Sequence, residues 1–174
     1  MRPFYWRIKK LINKRTVNLR KMINYYVYTD GACSRNGQPG AVSGIGIYFG
    51  EGDPRNVSQR IEGKQTNNTA ELGAILCLYP LIRSDLDNSK RVGVVTDSIY
   101  AIRCATTYGA KCEAEGWKKD IPNKDMVRQV YERYKYYEDK VKFIHVLAHT
   151  GATDIHSIGN ACADKLAQDA TQNA

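Results

Sequence analysis

The chain lacks several things that would each have pointed to a different protein. Its first 24 residues hold no acidic side chain, and the five cysteines (Cys33, Cys77, Cys104, Cys112 and Cys162) form no C-x-x-C pair. An odd, scattered set of this kind argues against a disulfide framework and a structural zinc site, and predicts an intracellular, reducing compartment without choosing among cytoplasm, nucleus and organelle. No apolar run approaches the length that crosses a bilayer, and the basic start is too interrupted for a secretory signal. Internal repeats and low-complexity segments are also missing.

The charge is concentrated at one end. Arg2, Arg7, Lys9, Lys10, Lys14, Arg15, Arg20 and Lys21 account for the net charge of +8, so the remainder of the 174 residues is balanced. Two units follow: a basic arm, residues 1–24, and a near-neutral domain, residues 25–174. The arm suits an organellar presequence, a nuclear signal, a nucleic-acid-binding extension or a solvated tail, and Met22 offers a second start that would omit it. In the domain, any nucleic-acid surface must come from local clustering.

From Tyr25 onward the pattern alternates regularly. Residues 25–29, 43–49, 56–63, 91–96 and 141–147 read as strands by their β-branched and aromatic content. The second strand carries glycines on one face. Short links between the first three predict an antiparallel meander. Residues 70–82 show a helical apolar stripe behind a Thr66-Asn67-Asn68-Thr69 cap, and further helices are expected at 99–108, 124–137 and 158–171. Residues 109–123 read as irregular. A helix between the first and fourth strands makes that pair parallel. The expected fold is therefore α/β, a five-stranded mixed sheet in the order β-β-β-α-β-α-α-β-α with flanking helices.

Four carboxylates stand where these elements begin or end. Asp30 and Asp97 follow the first and fourth strands, which places both at one sheet edge if those strands are adjacent. Glu71 lies in the first turn of the following helix, and Asp164 at the margin of the last helix's apolar face. Each has a bland reading alone; Asp97 before Ser98 would make a helix cap. Converging carboxylates repel one another unless cations neutralise them. Such a set suits two Mg²⁺ ions, with Mn²⁺ as the alternative, and phosphoryl chemistry on nucleic acid.

The strings Y-T-D-G-A, Q-T-N-N-T-A-E-L, T-D-S-I-Y, E-G-W-K-K and H-x-G…G-N-x-x-A-D-x-L-A, with an Asn-Gly loop after the first, occur in this order. Together they resemble type 1 ribonuclease H over about residues 25–170. The resemblance implies a metal-dependent endonuclease that hydrolyses the RNA strand of RNA–DNA hybrids, leaving 5′-phosphate and 3′-hydroxyl ends. It implies that Asp30 bridges two ions, that Asp164 helps hold the ion activating water, and that Glu71 and Asp97 hold the other. His149 would match the mobile-loop histidine that assists proton transfer or product release, a role suited to a group titrating near neutrality. His145 and His156 are weaker candidates, in the last strand and in the loop. Asn36 would contact the RNA strand and Asn67-Asn68 the join of the two strands, where 2′-hydroxyls are read by neutral donors and acceptors. Thr66 would meet a DNA phosphate. Trp117 would pack on a DNA sugar with Lys118 and Lys119 serving phosphates; its competing reading is a partly buried anchor.

Three departures qualify the match. The loop before the last helix, residues 151–159, is longer than usual and Ala148 replaces a glycine, which loosens the placing of His149. Ala161 stands where a glutamate is common. Residues 109–115 are less basic than the protruding handle of many members. Two other readings stay open: a DNA nuclease of the same fold, opposed by the asparagines and Trp117, and a hybrid-binding module without catalysis, opposed by the intact carboxylates. Nothing suggests a dedicated interface, so a monomer without membrane attachment is expected.

Overall fold

The computed structural model describes residues 22–148 and 153–172. His149 and all but the last residues of the basic arm lie outside the described residues. The strands are β1 (Tyr25–Ser34), β2 (Val42–Tyr48), β3 (Val57–Arg60), β4 (Val92–Thr96) and β5 (Val141–His145). The helices are α1 (Asn67–Asp87), α2 (Ile99–Ala105), α3 (Thr107–Ala114), α4 (Lys124–Tyr134) and α5 (Ile155–Gln172), with a 3-10 turn Lys135–Tyr137 after α4. One sheet has the order β3-β2-β1-β4-β5, antiparallel through the first three and parallel from β1 to β4 to β5. This is the mixed five-stranded α/β sheet that the alternation predicts.

The two faces of the sheet are built differently. Val27, Ile47, Val92 and Val94 point to one face and pack under Leu72, Ile75, Leu78, Ile82 and Leu86 of α1, with Val127 and Val130 of α4 beside them. Each of these side chains is essentially inaccessible, and burial of that kind contributes roughly 1.5–3 kcal/mol apiece. The other face carries Tyr28 and Val95 against Ala163 of α5. Here the glycines of β2 are decisive. A Cβ on Gly46 would lie 1.9 Å from the Ala163 carbonyl oxygen, so α5 seats directly on the strand backbone.

Helix α1 contains Pro80, which has no N–H to offer the Leu76 carbonyl one turn back. Arg133 of α4 donates to that oxygen at 3.1 Å, and Tyr134 donates to the Ile75 carbonyl at 2.9 Å. The helix therefore runs past its proline to Asp87, five residues beyond the expected end at 82.

Other boundaries moved for identifiable reasons. β1 does not stop at Thr29; it pairs with β2 through Ser34↔Val42. β3 is only four residues long. The segment expected to be irregular from 109 holds α3, whose Gly109 reads as a breaker. In the fold Gly109 is a contact point, since a Cβ there would meet the Cys104 carbonyl oxygen at 2.3 Å and Tyr131 at 2.6 Å. α5 begins three residues earlier than expected because Asp154 caps it. The Asp154 carboxylate accepts from the backbone of His156 at 3.0 Å and of Ser157 at 3.1 Å. The final turn of the expected 124–137 helix tightens to a 3-10 turn, and β5 ends at His145 rather than Leu147.

Candidate active site

The last parallel pair between β1 and β4 is Tyr28↔Val95. Two residues later β1 has lost its β4 neighbour but remains tied to β2, through Asp30↔Gly46. Asp30 is therefore within the strand, not at its end, and stands where the parallel half of the sheet opens. Asp97 follows the last residue of β4, at the same edge. It does not cap the next helix: Ser98 does, accepting from the Ala101 amide at 3.2 Å. That leaves the Asp97 carboxylate available to the site.

Glu71 arrives from the other layer. Thr66 caps α1, with its hydroxyl accepting from the Thr69 amide at 3.1 Å while its own amide donates to the Thr69 hydroxyl at 3.0 Å. The helix starts at Asn67, so Glu71 is its fifth residue and lies above the first turn rather than in it. Gly31 permits the approach, because a Cβ there would fall 2.3 Å from the Glu71 amide nitrogen.

Asp30, Glu71 and Asp97 each bring one carboxylate oxygen within 4.8 Å of the other two. Asp164, on α5, lines the same cleft of about 400 Å³ with Asn67 and Gln168. Gln168 donates to the Asp164 carboxylate at 2.8 Å. The four acids thus come together as expected, three as a tight group and Asp164 beside Asp30.

The electrostatics follow from that placement. Asp30 is only 6% exposed. Burial first, then the charges of Asp97 and Asp164, push its carboxyl up to about 8, against a pull downward from the Gly31 amide that donates to it at 2.8 Å. Glu71 is raised well above the ordinary carboxylate range by burial and by the charges of Asp30 and Asp97. These groups hold protons until positive charge replaces them. All the donors are hard oxygens, the set that suits Mg²⁺ or Mn²⁺ and not a soft metal, so the residues present fit such ions.

The remaining expected residues are divided between two places. Asn36, in the exposed β1–β2 loop, accepts from the Asn67 amide at 3.2 Å, so Asn36, Asn67 and Asn68 gather at the start of α1 beside the acids. Trp117 sits on the turn after α3, with Gly116 and Trp117 amides donating to the Glu113 and Cys112 carbonyls, both at 2.8 Å. Its φ of 56° is a left-handed conformation that costs a non-glycine residue some strain. The ring packs partly on the core and partly lines a cleft of about 190 Å³ with Tyr108, Lys111, Lys118 and Lys119, so it is both anchor and surface. Lys119 is paired with Glu115 at 3.0 Å, and Lys118 is exposed.

His156 is not a loop residue; it lies in the first turn of α5, edge-on to Tyr26 at 4.7 Å between ring centroids and 3.3 Å from the Tyr28 hydroxyl. It packs there and does not line the acidic cleft. His145 ends β5 and is exposed. Two further residues escaped the sequence reading. Asn160 donates to Asp97 at 3.1 Å, and Gln168 holds Asp164. The signal was present: 160, 164 and 168 recur every four residues as a polar stripe beside Ala163, Ala167 and Ala170.

The RNase H family model matches residues 22–172. The chain is a type 1 ribonuclease H by family. The chain is 32% identical to mouse ribonuclease H1 over 152 residues, covering 85% of this chain and 50% of that protein. It is 34% identical to a probable ribonuclease H of Acanthamoeba polyphaga mimivirus over 170 residues, covering 94% of this chain and 70% of that one. Among solved structures, the PFV RNase H domain superposes with a TM-score of 0.64 at 26% identity, covering 84% of this chain and 93% of that domain. The chain spans about half the length of the mouse protein and of its rat counterpart. Among the described residues no helix is long and apolar enough to cross a membrane, and all five cysteines are free thiols.

Proposed function

We propose that the chain is an endonuclease that hydrolyses the RNA strand of RNA–DNA hybrids, with Asp30, Glu71, Asp97 and Asp164 holding two Mg²⁺ or Mn²⁺ ions. The observation that carries this reading is the convergence of Asp30, Glu71 and Asp97 within 4.8 Å at the sheet edge, with Asp164 lining the same cleft. Family membership supports the reaction class.

When bound, the ions would supply a nucleophile at neutral pH and stabilise the attacking and leaving oxygens of an in-line displacement. Asp30 is central to the carboxylates and would be shared between the ions. Glu71 and Asp97 would complete one ion's ligands, and Asp164 the other's. Asn36, Asn67 and Asn68 are neutral and clustered beside the acids, which suits reading 2′-hydroxyls across a shallow groove. Thr66 stands at the α1 N-terminus, where a phosphate is favoured by the helix dipole. Trp117, Lys118 and Lys119 would take the DNA strand. His149 would assist proton transfer or product release from its loop. With the 3′-oxygen as the leaving group, as the family resemblance implies, the products would be a 5′-phosphate and a 3′-hydroxyl. The free thiols suit a reducing compartment, and the domain would act as a monomer, with the arm adding salt-dependent affinity.

The test is a hybrid labelled on either strand, incubated with Mg²⁺ and then with EDTA, and the product ends mapped. The reading requires RNA-strand cuts bearing 5′-phosphate that vanish in EDTA. Binding without any cut would leave a hybrid-binding module, and cutting that persists in EDTA would remove the metals.

A further inference from the structure

The last helix brings a second polar group to the site, one that holds no place in the scheme above. Gly159 is pressed on Tyr28 so closely that a Cβ would fall 2.3 Å from the ring. With no side chain at that position, α5 lies flat on the sheet, and its next residue, Asn160, is carried to the foot of Asp97. Asn160 is 4% exposed, and its Nδ2 donates to the Asp97 carboxylate at 3.1 Å. Because a carboxylate oxygen can only accept, that bond fixes which way round the amide sits. It therefore turns Oδ1 away from Asp97, and among the described residues nothing donates to that buried oxygen.

A buried acceptor without a donor is costly, and such atoms in folded proteins call for an explanation. Packing alone gives none here. Asn is a poor helix former, and a small apolar residue like its neighbours Ala163 and Ala167 would serve the interface better. An amide that donates to a ligating carboxylate is, however, what fixes the orientation of a cation's ligand. The donation directs Asp97 and leaves its other oxygen for the ion.

Resting on the metal-dependent reading above, we infer that Asn160 is a positioning residue for the ion held by Asp97, acting through that carboxylate and not on the substrate. The inference assigns a role on α5 besides that of Asp164, so that one helix bears on two of the site's carboxylates.

The test is calorimetric titration of Mn²⁺ into the full chain, for the wild type and for Asn160→Leu, which keeps the shape of the side chain and removes both polar atoms. Melting in EDTA is measured alongside. The expected result is a 10- to 100-fold weaker Mn²⁺ affinity in Asn160→Leu, with melting in EDTA unchanged or raised, and a KM for hybrid at saturating metal that stays near the wild-type value. Unchanged Mn²⁺ affinity, or a loss that only tracks a fall in EDTA melting, overturns it. Should Asn160→Leu not fold, Asn160→Ala is read the same way. A wild type that takes up no Mn²⁺ would fell the metal reading itself, and this inference with it.

Discussion

Replacing Asp30 by Asn should cost the protein its cleavage and, without metal, make it more stable. The folded chain holds the Asp30 carboxyl at about 8, against 3.8 for the free group, because of burial and the charges of Asp97 and Asp164. The folded state therefore keeps a proton that the unfolded chain releases near pH 4. Stability from this group is full below about pH 4 and is lost as pH rises towards about 8, at about 1.4 kcal/mol per unit. At pH 7 roughly three units have been crossed, which sets a ceiling of about 4 kcal/mol; relaxation of the cleft lowers the expectation to about 2–3 kcal/mol. Glu71 is shifted in the same direction and steepens the slope. Asn keeps an oxygen to accept from the Gly31 amide, so the substitution removes the charge and leaves that bond. The assay is urea denaturation in EDTA at pH 5 and pH 8. Wild type should be weaker at pH 8, and Asp30→Asn should lose less between the two pH values, keeping only the slope that the buried Glu71 contributes, and be the more stable of the two at pH 8; Mg²⁺ should restore only the wild type. An Asp30→Asn protein that is no more stable in EDTA at pH 8 would refute the claim that the acids are held together against their repulsion.

Gly46→Ala should lower the urea midpoint by an amount equivalent to about 3 kcal/mol, since its methyl group meets the backbone of α5 at 1.9 Å; near-neutral stability would mean the helix rides higher than described. Deleting residues 1–24 should weaken hybrid binding and flatten its dependence on salt, measured by anisotropy between low and physiological salt; an unchanged slope would make the arm an address signal or a tail. His149→Ala should slow cleavage by about 100-fold or more without abolishing it, read as kcat at saturating Mg²⁺, and an unchanged rate would remove the loop from the chemistry.

Much of this was legible because two periodicities were clean. β-branched alternation marked the strands, and the stripe of Leu72, Ile75, Leu78 and Ile82 marked α1; parallel pairing then placed Asp30 and Asp97 at one edge. What the sequence hid was decided by distant partners. β1 continues past Asp30 only because β2 pairs with it, and α1 survives Pro80 only because Arg133 supplies a donor from another helix. Gly109 reads as a helix breaker locally but is required by Tyr131 across the interface. Asp154 looked like one loop polar residue among several until its carboxylate proved to cap α5, which moved His156 out of the loop. Asn160 was visible as a residue, yet its meaning needed the contact with Asp97, more than 60 residues away in sequence.

The most direct measurement sets one sequence side by side as RNA–DNA hybrid, double-stranded RNA and double-stranded DNA, each with Mg²⁺. The account predicts cuts in the RNA strand of the hybrid and nowhere else. Cleavage of the DNA duplex, or of all three, would contradict it and make this a general or DNA-directed nuclease built on the same carboxylates.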